Sequence, residues 1–411
     1  MAANLKRIVL VTTKQPSSNP RLVKEAVSLQ NAGYDVTVIY NFWSLWADEA
    51  DKEIIQANSS IHWQRVHGHP VKSKQYYWYT RLRHKLYKIL ALKFAGNIFF
   101  NERAESQFYQ ELLSATKKVK AALYIAHNLG ALPVAAKAAK INLSKYAFDA
   151  EDYHRSMDAD ASEQLLTVSL LEDRYLPGST YITAASPLIA RVYKQDYPAI
   201  SFAVINNYFS RQLQPVFKTI PLTPLRLFWF SQTTGLKRGL QDAVMAMNKV
   251  NDFEIECTIV GDASESVKEV LNGLLTNPKH RLDFKQPCGE KELIEMSSTH
   301  HVGLALEPGF SLNNNIALSN KLFTYLLAGN AVILSATDAQ EIFYKEYPGT
   351  GWLYRSGDTN AFAAILKQCY TDAALLEIIR KNAWQLADTK LNWENESVKL
   401  LGLVQAACSS N

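Results

Sequence analysis

Two pairs of strand ends in this 411-residue chain carry side chains whose types and spacing could do chemistry. His127 closes the apolar run ALYIAH, and the next strand end, FDAEDYHR, supplies Asp149, Glu151, Asp152 and His154. A histidine at the carboxyl end of a parallel strand can donate to a substrate oxygen or move a proton, and neighbouring carboxylates can hold hydroxyls or act as a general base. A structural histidine, and acids that merely cap a helix, are the competing readings. In the second half, SQTTGLKRG (231–239) follows one apolar run and opens a helix. Free backbone N–H groups, the helix dipole, Lys237 and Arg238 could converge there on a diphosphate. GDAS, beginning at Gly261, has the same strand-to-helix geometry, with a plain turn as the competing reading.

These residues need elements to position them. Apolar runs at 7–13, 34–40, 122–127, 146–150, 181–186 and 201–205 alternate with helical patterns, and the grammar restarts at 225–231, 254–261, 281–284, 301–306, 331–334 and 351–354. Such alternation predicts parallel sheets covered on both faces. Between Asn206 and Leu225 the pattern stops, and Pro215, Pro221 and Pro224 mark a linker. The expected architecture is α/β, two doubly wound Rossmann-like domains across a cleft: residues 1–210, residues 211–390, and a last helix over 391–411 packing back toward the first. In LSNKLFTYLLAGNAVI, Ser319 is the expected N-cap and Gly329 the stop of a short helix, preceded by the polar loop EPGFSLNNNIAL. That helix would aim Ser319, Asn320 and Lys321 at a ligand.

Composition narrows the classes. Hydrophobic residues make up 47% and the net charge is +5, ample for two cores and only mildly basic. Four scattered cysteines have no ligand spacing, so neither a disulfide framework nor a zinc site is expected, and no metal ligands are assigned. The first apolar run is too short for a signal peptide or a span, which predicts a cytoplasmic protein, peripheral at the inner face of the membrane at most. There is no GxGxxG or Walker A motif, which disfavours dinucleotide and P-loop enzymes. From Ile54 to Asn101 no Asp or Glu occurs, while KQYYWYTRLRHKLYKILALKF interleaves aromatics and cations, with Leu82, Leu86, Leu90 and Phe94 at helical spacing. Two readings stay open for residues 72–100: a helix lying on an anionic membrane surface, or a core-facing helix with a solvated basic face. Nucleic acid is not expected as a partner, because no recognition module accompanies the charge.

The order and spacing of PSSNPRLVKEAVSLQNAGYDVTVI, AHNLGALPVAAKAAK, VINNYF, KRG, IVGD and SNKLFTYLLAGNAVI resemble the GT-B glycosyltransferases, most closely the retaining family 4 group of bacterial polysaccharide biosynthesis. The resemblance spans essentially the whole chain. It implies transfer of a hexose-type sugar from a nucleotide-diphosphate sugar to a polysaccharide or lipid-linked acceptor, with retention and with no cofactor or metal. Lys237 and Arg238 would neutralise the diphosphate, His127 would stand near the donor sugar, and Asn19, Arg21, Asp149 and Glu151 would line the acceptor side. The chain departs from the pattern of two glutamates eight positions apart: Thr324 holds the second position, Ile316 the first, and Glu307 would substitute by another route. A nucleotide-sugar epimerase on the same fold and a non-catalytic sugar-binding subunit are the alternatives.

Overall fold

Two runs of parallel strands build the molecule, a computed structural model in which residues 5–156 and 162–409 are described. The chain divides into one unit of Met1–Asn206 with Ser397–Asn411 and a second of Asn207–Glu396. In the first, β1 (Arg7–Thr12), β2 (Asp35–Tyr40), β3 (His62–Arg65), β4 (Leu123–His127), β5 (Lys145–Ala150), β6 (Ile182–Ala184) and β7 (Phe202–Val204) lie in the order β3-β2-β1-β4-β5-β6-β7. Every pairing is parallel. The order reverses between β1 and β4, the switch point of a doubly wound sheet.

The helices of this unit are α1 (Pro20–Asn31), α2 (Ala47–Ala57), α3 (Lys74–Lys93), α4 (Ile98–Glu105), α5 (Tyr109–Thr116), α6 (Leu132–Ile141), α7 (Ser162–Tyr175) and α8 (Pro187–Asp196). Local chemistry sets their starts: the Asn19 side chain accepts from Leu22 N, and Pro20 follows at the first helical position. Ile8 to Val11 are wholly buried, as a central parallel strand covered on both faces requires. The mostly half-buried edge strand β3, HWQR, has no apolar pattern and was not expected; its pairing with β2, from Thr37 with His62 to Tyr40 with Arg65, makes it a strand. The strands expected at 181–186 and 201–205 are shorter, three residues each.

In the second unit β8 (Leu225–Thr233), β9 (Ile255–Asp262), β10 (Arg281–Lys285), β11 (Val302–Ala305), β12 (Ala331–Ser335) and β13 (Gly351–Tyr354) take the order β10-β9-β8-β11-β12-β13. Pairing is again parallel throughout. Side chains alternate between two cores, with Leu227 and Trp229 in one and Phe228 and Phe230 in the other. Its helices are α9 (Leu240–Asn248), α10 (Glu265–Leu274), α11 (Glu290–Ser297), α12 (Leu312–Ile316), α13 (Asn320–Ala328), α14 (Asp338–Glu346), α15 (Thr359–Thr371) and α16 (Ala373–Thr389). α17 (Trp393–Ser409) begins in this unit and ends in the first, where Lys6 and Lys145 donate to its last-turn carbonyls at Cys408 and Ala407. The stretch read as one long loop before α13 holds α12, a single turn capped by Ser311, whose side chain accepts from Asn314 N. No helix among the described residues is long and apolar enough to cross a membrane.

Candidate functional site

At the switch point of the first sheet, Asn128 directly follows β4 with φ of 67°, the left-handed region that costs an L residue energy. Its amide is held from both sides: Nδ2 donates to Thr12 Oγ1 at 2.9 Å, and Thr13 Oγ1 donates to its Oδ1 at 2.6 Å. The ends of β1 and β4 are thereby locked together. Gly130 continues the contact, since a Cβ there would come within 2.9 Å of Thr13 Cγ2.

Beneath this edge lies a buried charge cluster. Arg21, on the first turn of α1, donates from Nε to Asp149 Oδ2 at 2.6 Å, from Nη2 to Asp149 Oδ1 at 2.7 Å, and from Nη1 to the Ile205 carbonyl at 2.6 Å. The Thr183 hydroxyl also donates to Asp149. Glu25, one helical turn after Arg21, places Oε2 3.2 Å from His127 Nε2 and Oε1 3.6 Å from Arg21 Nε. These are charge contacts rather than aligned hydrogen bonds, for neither Glu25 oxygen nor His127 Nε2 has a partner of hydrogen-bond geometry. His127 Nδ1 stands 3.4 Å from both Asp149 Oδ2 and Glu151 Oε1.

Burial alone would keep His127 neutral. The charge of Glu25, with Asp149 and Glu151 on the other ring nitrogen, outweighs burial and holds the imidazole pKa well above its ordinary value. Burial pushes Asp149 up, but Arg21 and His127 pull it below the usual carboxylate range, and His127 does the same for Glu151. The cluster therefore sets three carboxylates against two cations. Donor atoms of Glu25, His127 and Asp149 fall within 4.8 Å of one another, a spacing a divalent ion could use. Both Asp149 oxygens accept from Arg21, which ties that carboxylate into the ion-pair network.

The expected acceptor-side residues Arg21, Asp149 and Glu151 thus meet, together with His127, but mostly in the interior. His127 is wholly buried, and Arg21 and Asp149 nearly so, whereas the Glu151 side chain keeps 22% of its surface open. Asn19 is also buried and its Oδ1 serves the α1 cap. Glu25 and Asn128 escaped sequence reasoning. Glu25 had a signal, four residues after Arg21 on the same helical face; Asn128 had none, because its strain comes from the backbone.

In the second sheet the order reverses between β8 and β11, and the residues expected to meet a nucleotide diphosphate gather on these strand ends and on neighbouring β9. Lys237 and Arg238 lie on a 3-10 turn, Leu236–Arg238, that enters α9 through Gly239 at φ 78°. A Cβ on Gly239 would come within 2.8 Å of Leu306 Cβ, so glycine lets the β8 and β11 loops touch. Gly261, at the end of β9, likewise backs onto Ser231 O, where a Cβ would approach to 2.4 Å. Among the described residues neither Lys237 nor Arg238 has an acidic side chain within ion-pair distance.

Glu307, just past β11, is fixed at every polar atom. Its N–H donates to Ser335 Oγ at 2.7 Å and its carbonyl accepts from the same hydroxyl at 2.7 Å. Oε2 accepts from Asn314 Nδ2 at 3.1 Å, and Oε1 lies 2.6 Å from Lys321 Nζ. Burial raises the Glu307 carboxyl, but Lys321 outweighs it and holds the pKa below the ordinary value. Lys321 sits in the first turn of α13, 5.9 Å over the Trp229 ring, next to the capping Ser319. Asn320 Oδ1 accepts from Asn207 Nδ2. Thr324 is buried, and its hydroxyl donates to the Asn320 carbonyl one turn back, leaving only an acceptor lone pair.

No family model matches the chain, and no curated protein sequence matches it. Solved structures do. Anabaena HepE in complex with UDP and glucose is 14% identical and superimposes with a TM-score of 0.69 over 98% of this chain and 100% of that one. Sucrose-phosphate synthase from Thermosynechococcus elongatus is 15% identical, with a TM-score of 0.71 over 98% of both chains. An S. aureus TarM variant, solved with fondaparinux, alpha-GlcNAc-glycerol and UDP, is 9% identical, with a TM-score of 0.66 over 99% of this chain and 100% of that one. Likeness at such low identity speaks for architecture: the chain has the two-sheet GT-B fold found in glycosyltransferases.

Proposed function

We propose that the protein is a glycosyltransferase that moves a sugar from a nucleotide-diphosphate donor to a glycan or lipid-linked acceptor, with retention of anomeric configuration. The observation that carries this reading is the pair of cations, Lys237 and Arg238, without an acidic partner among the described residues, on the turn that feeds α9 at the switch point of the second sheet. A departing diphosphate gathers negative charge, and cations held beside a helix N-terminus stabilise it without a metal. Ser319, Asn320 and Lys321 bring a second helix start to the same edge, with Glu307 oriented toward Lys321. In this reading the backbone at Gly261 borders the donor, and Thr324 offers the ribose an acceptor oxygen. Asn19, Arg21, Asp149 and Glu151 shape the acceptor side, where the buried His127 acts as a positioning residue behind Glu151.

The named neighbours support the donor class: HepE and TarM were solved with UDP. Thermal shift across a panel of nucleotide sugars tests it, since a ligand that binds only the folded chain raises its stability. No shift with any nucleotide or nucleotide sugar would overturn the reading. The spent hydroxyl of Thr324 favours one rival, a sugar-binding subunit without turnover. Release of nucleoside diphosphate in the presence of an acceptor separates the two, and conversion of the donor alone to an epimer would indicate the epimerase. Proton NMR of the product reads the anomeric outcome. The basic, aromatic α3 supports a peripheral station at the inner face of an anionic membrane.

A further inference from the structure

Exposed apolar side chains concentrate on one short part of the chain. Of the 25 large hydrophobic residues exposed among the described residues, 12 fall between Trp43 and Phe99. Nine of them form two groups. The first is the loop after β2, in which Trp43, Leu45 and Trp46 are 58%, 57% and 56% exposed. The second is the outer face of α3, where Trp78, Leu82, Leu86 and Ile89 recur every three or four residues, with Leu82 71% exposed. The core-facing reading of that helix fails at Leu82 and Leu86. Only Thr80 and Ala91 of α3 are fully buried, and its inner side is tied down by polar contacts such as Arg83 to Glu111 and His84 to the Ala104 carbonyl.

The loop is held in a built conformation. Buried Gln15 accepts the N–H groups of Trp43 and Ser44 on one oxygen, at 2.9 and 2.8 Å, and its own amide is anchored by Asp48 and Asp51. Asn41 ties the start of the loop to the Thr13 carbonyl. Three large apolar side chains are thus presented outward by a rigid frame, where collapse onto the protein would bury them. Phe42 joins the two groups, packing against His69 at 5.1 Å and against Tyr77 of α3 at 6.0 Å. Because β1, β2 and β3 run parallel, the loop and the start of α3 share the carboxyl edge of the first sheet with Asn128 and Glu151.

We propose that the loop 41–46 and the outer face of α3 form one interfacial wedge that docks the protein on an anionic bilayer. Arg81, Lys85, Lys88 and Lys93 flank the apolar stripe, and the chain from Ile54 to Asn101 holds no acid to oppose them. The exposed acids that precede this stretch in sequence are on α2, where Glu49 is paired with Lys52 at 2.6 Å and Glu53 is exposed, while Glu111 is paired with Arg83 on the inner side of α3. Cations therefore supply attraction to acidic headgroups, while the tryptophans and leucines enter the headgroup–acyl boundary. α3 alone offers about 30 Å of contact at 1.5 Å per residue. The surface deepens the proposed transfer by naming where its acceptor is met, a lipid-linked glycan at the membrane, and rests on that reading for the acceptor only.

The test is co-sedimentation of the full chain with phosphatidylcholine vesicles, with and without phosphatidylglycerol, alongside thermal shift with nucleotide sugars. The parent should partition onto the acidic vesicles alone, and less as salt rises. Trp43→Ala with Trp46→Ala should lower partitioning about tenfold; Trp43→Phe with Trp46→Phe should recover most of it; both should keep the parent's thermal shift with donor. Unchanged vesicle binding in the double alanine variant would overturn the proposal, as would a parent that ignores vesicles. So would a parent that dimerises through these tryptophans, for the face would then be a contact between copies. Vesicle binding that needs the tryptophans in a protein no nucleotide sugar stabilises would instead uphold the wedge and remove the donor reading.

Discussion

Lys321 Nζ lies 2.6 Å from Glu307 Oε1, with the two side chains 9% and 7% exposed. Lys321 lies in the first turn of α13 and Glu307 just past β11, so one buried ion pair fastens a post-strand loop to a helix start at the sheet edge where a ligand is expected. Removing either partner leaves a buried charge alone. Lys321→Met should therefore cost about 3–5 kcal/mol in urea unfolding, and the double change Glu307→Gln with Lys321→Met should recover much of it. Acid titration checks the cause. Because Glu307 is held below its ordinary 4.5, its stabilisation is present above that value and lost as pH falls through the folded one, a slope that Lys321→Met should remove.

Arg238→Ala should weaken a nucleoside diphosphate by roughly 1.5–3 kcal/mol, the value of a charge-assisted contact, and leave the nucleoside almost unaffected. Titration calorimetry with both ligands measures the difference. Equal losses would place Arg238 away from the phosphates.

His127 gives the opposite pH signature to Glu307. Its folded pKa is raised above the ordinary 6.5, so the imidazolium's stabilisation is complete below that value and lost as pH rises through the folded one. His127→Gln should lower the melting temperature near neutrality and flatten its decline on the alkaline side. A variant as stable as the parent at neutral pH would mean that the histidine is neutral in the folded protein.

Gly303 in β11 has no room for a side chain: a Cβ would lie 2.1 Å from Tyr325 Cγ. Gly303→Ala should force the ring aside and cost about 1–3 kcal/mol. Tyr325 also donates to the Leu304 carbonyl, so the displaced ring would loosen the strand that carries Glu307. Denaturant unfolding reads the cost, and a weakened nucleotide-sugar response would read the displacement.

Much of the architecture was legible from local chemistry. Buried parallel strands are continuous apolar runs, as in IVLV and AVIL, and capping residues such as Asn19, Ser319 and Gly329 announce where helices begin and end. Strand ends carry the polar residues, so His127, Asp149, Glu307 and the Lys237–Arg238 turn could be located before their neighbours were known. What each side chain touches could not be read, because those partners are distant in sequence. Arg21 meets Asp149 across 128 positions, and Thr13 meets Asn128 across 115. β3 became a strand only through its neighbour, and Leu82 and Leu86 turned outward because α3 is held by polar contacts on its inner side. The alternation of apolar and polar residues determines which elements form and which polar residues close the strands. Only tertiary packing decided which charges are buried against each other and which stay free, since burial and pairing arise when distant segments close on one another.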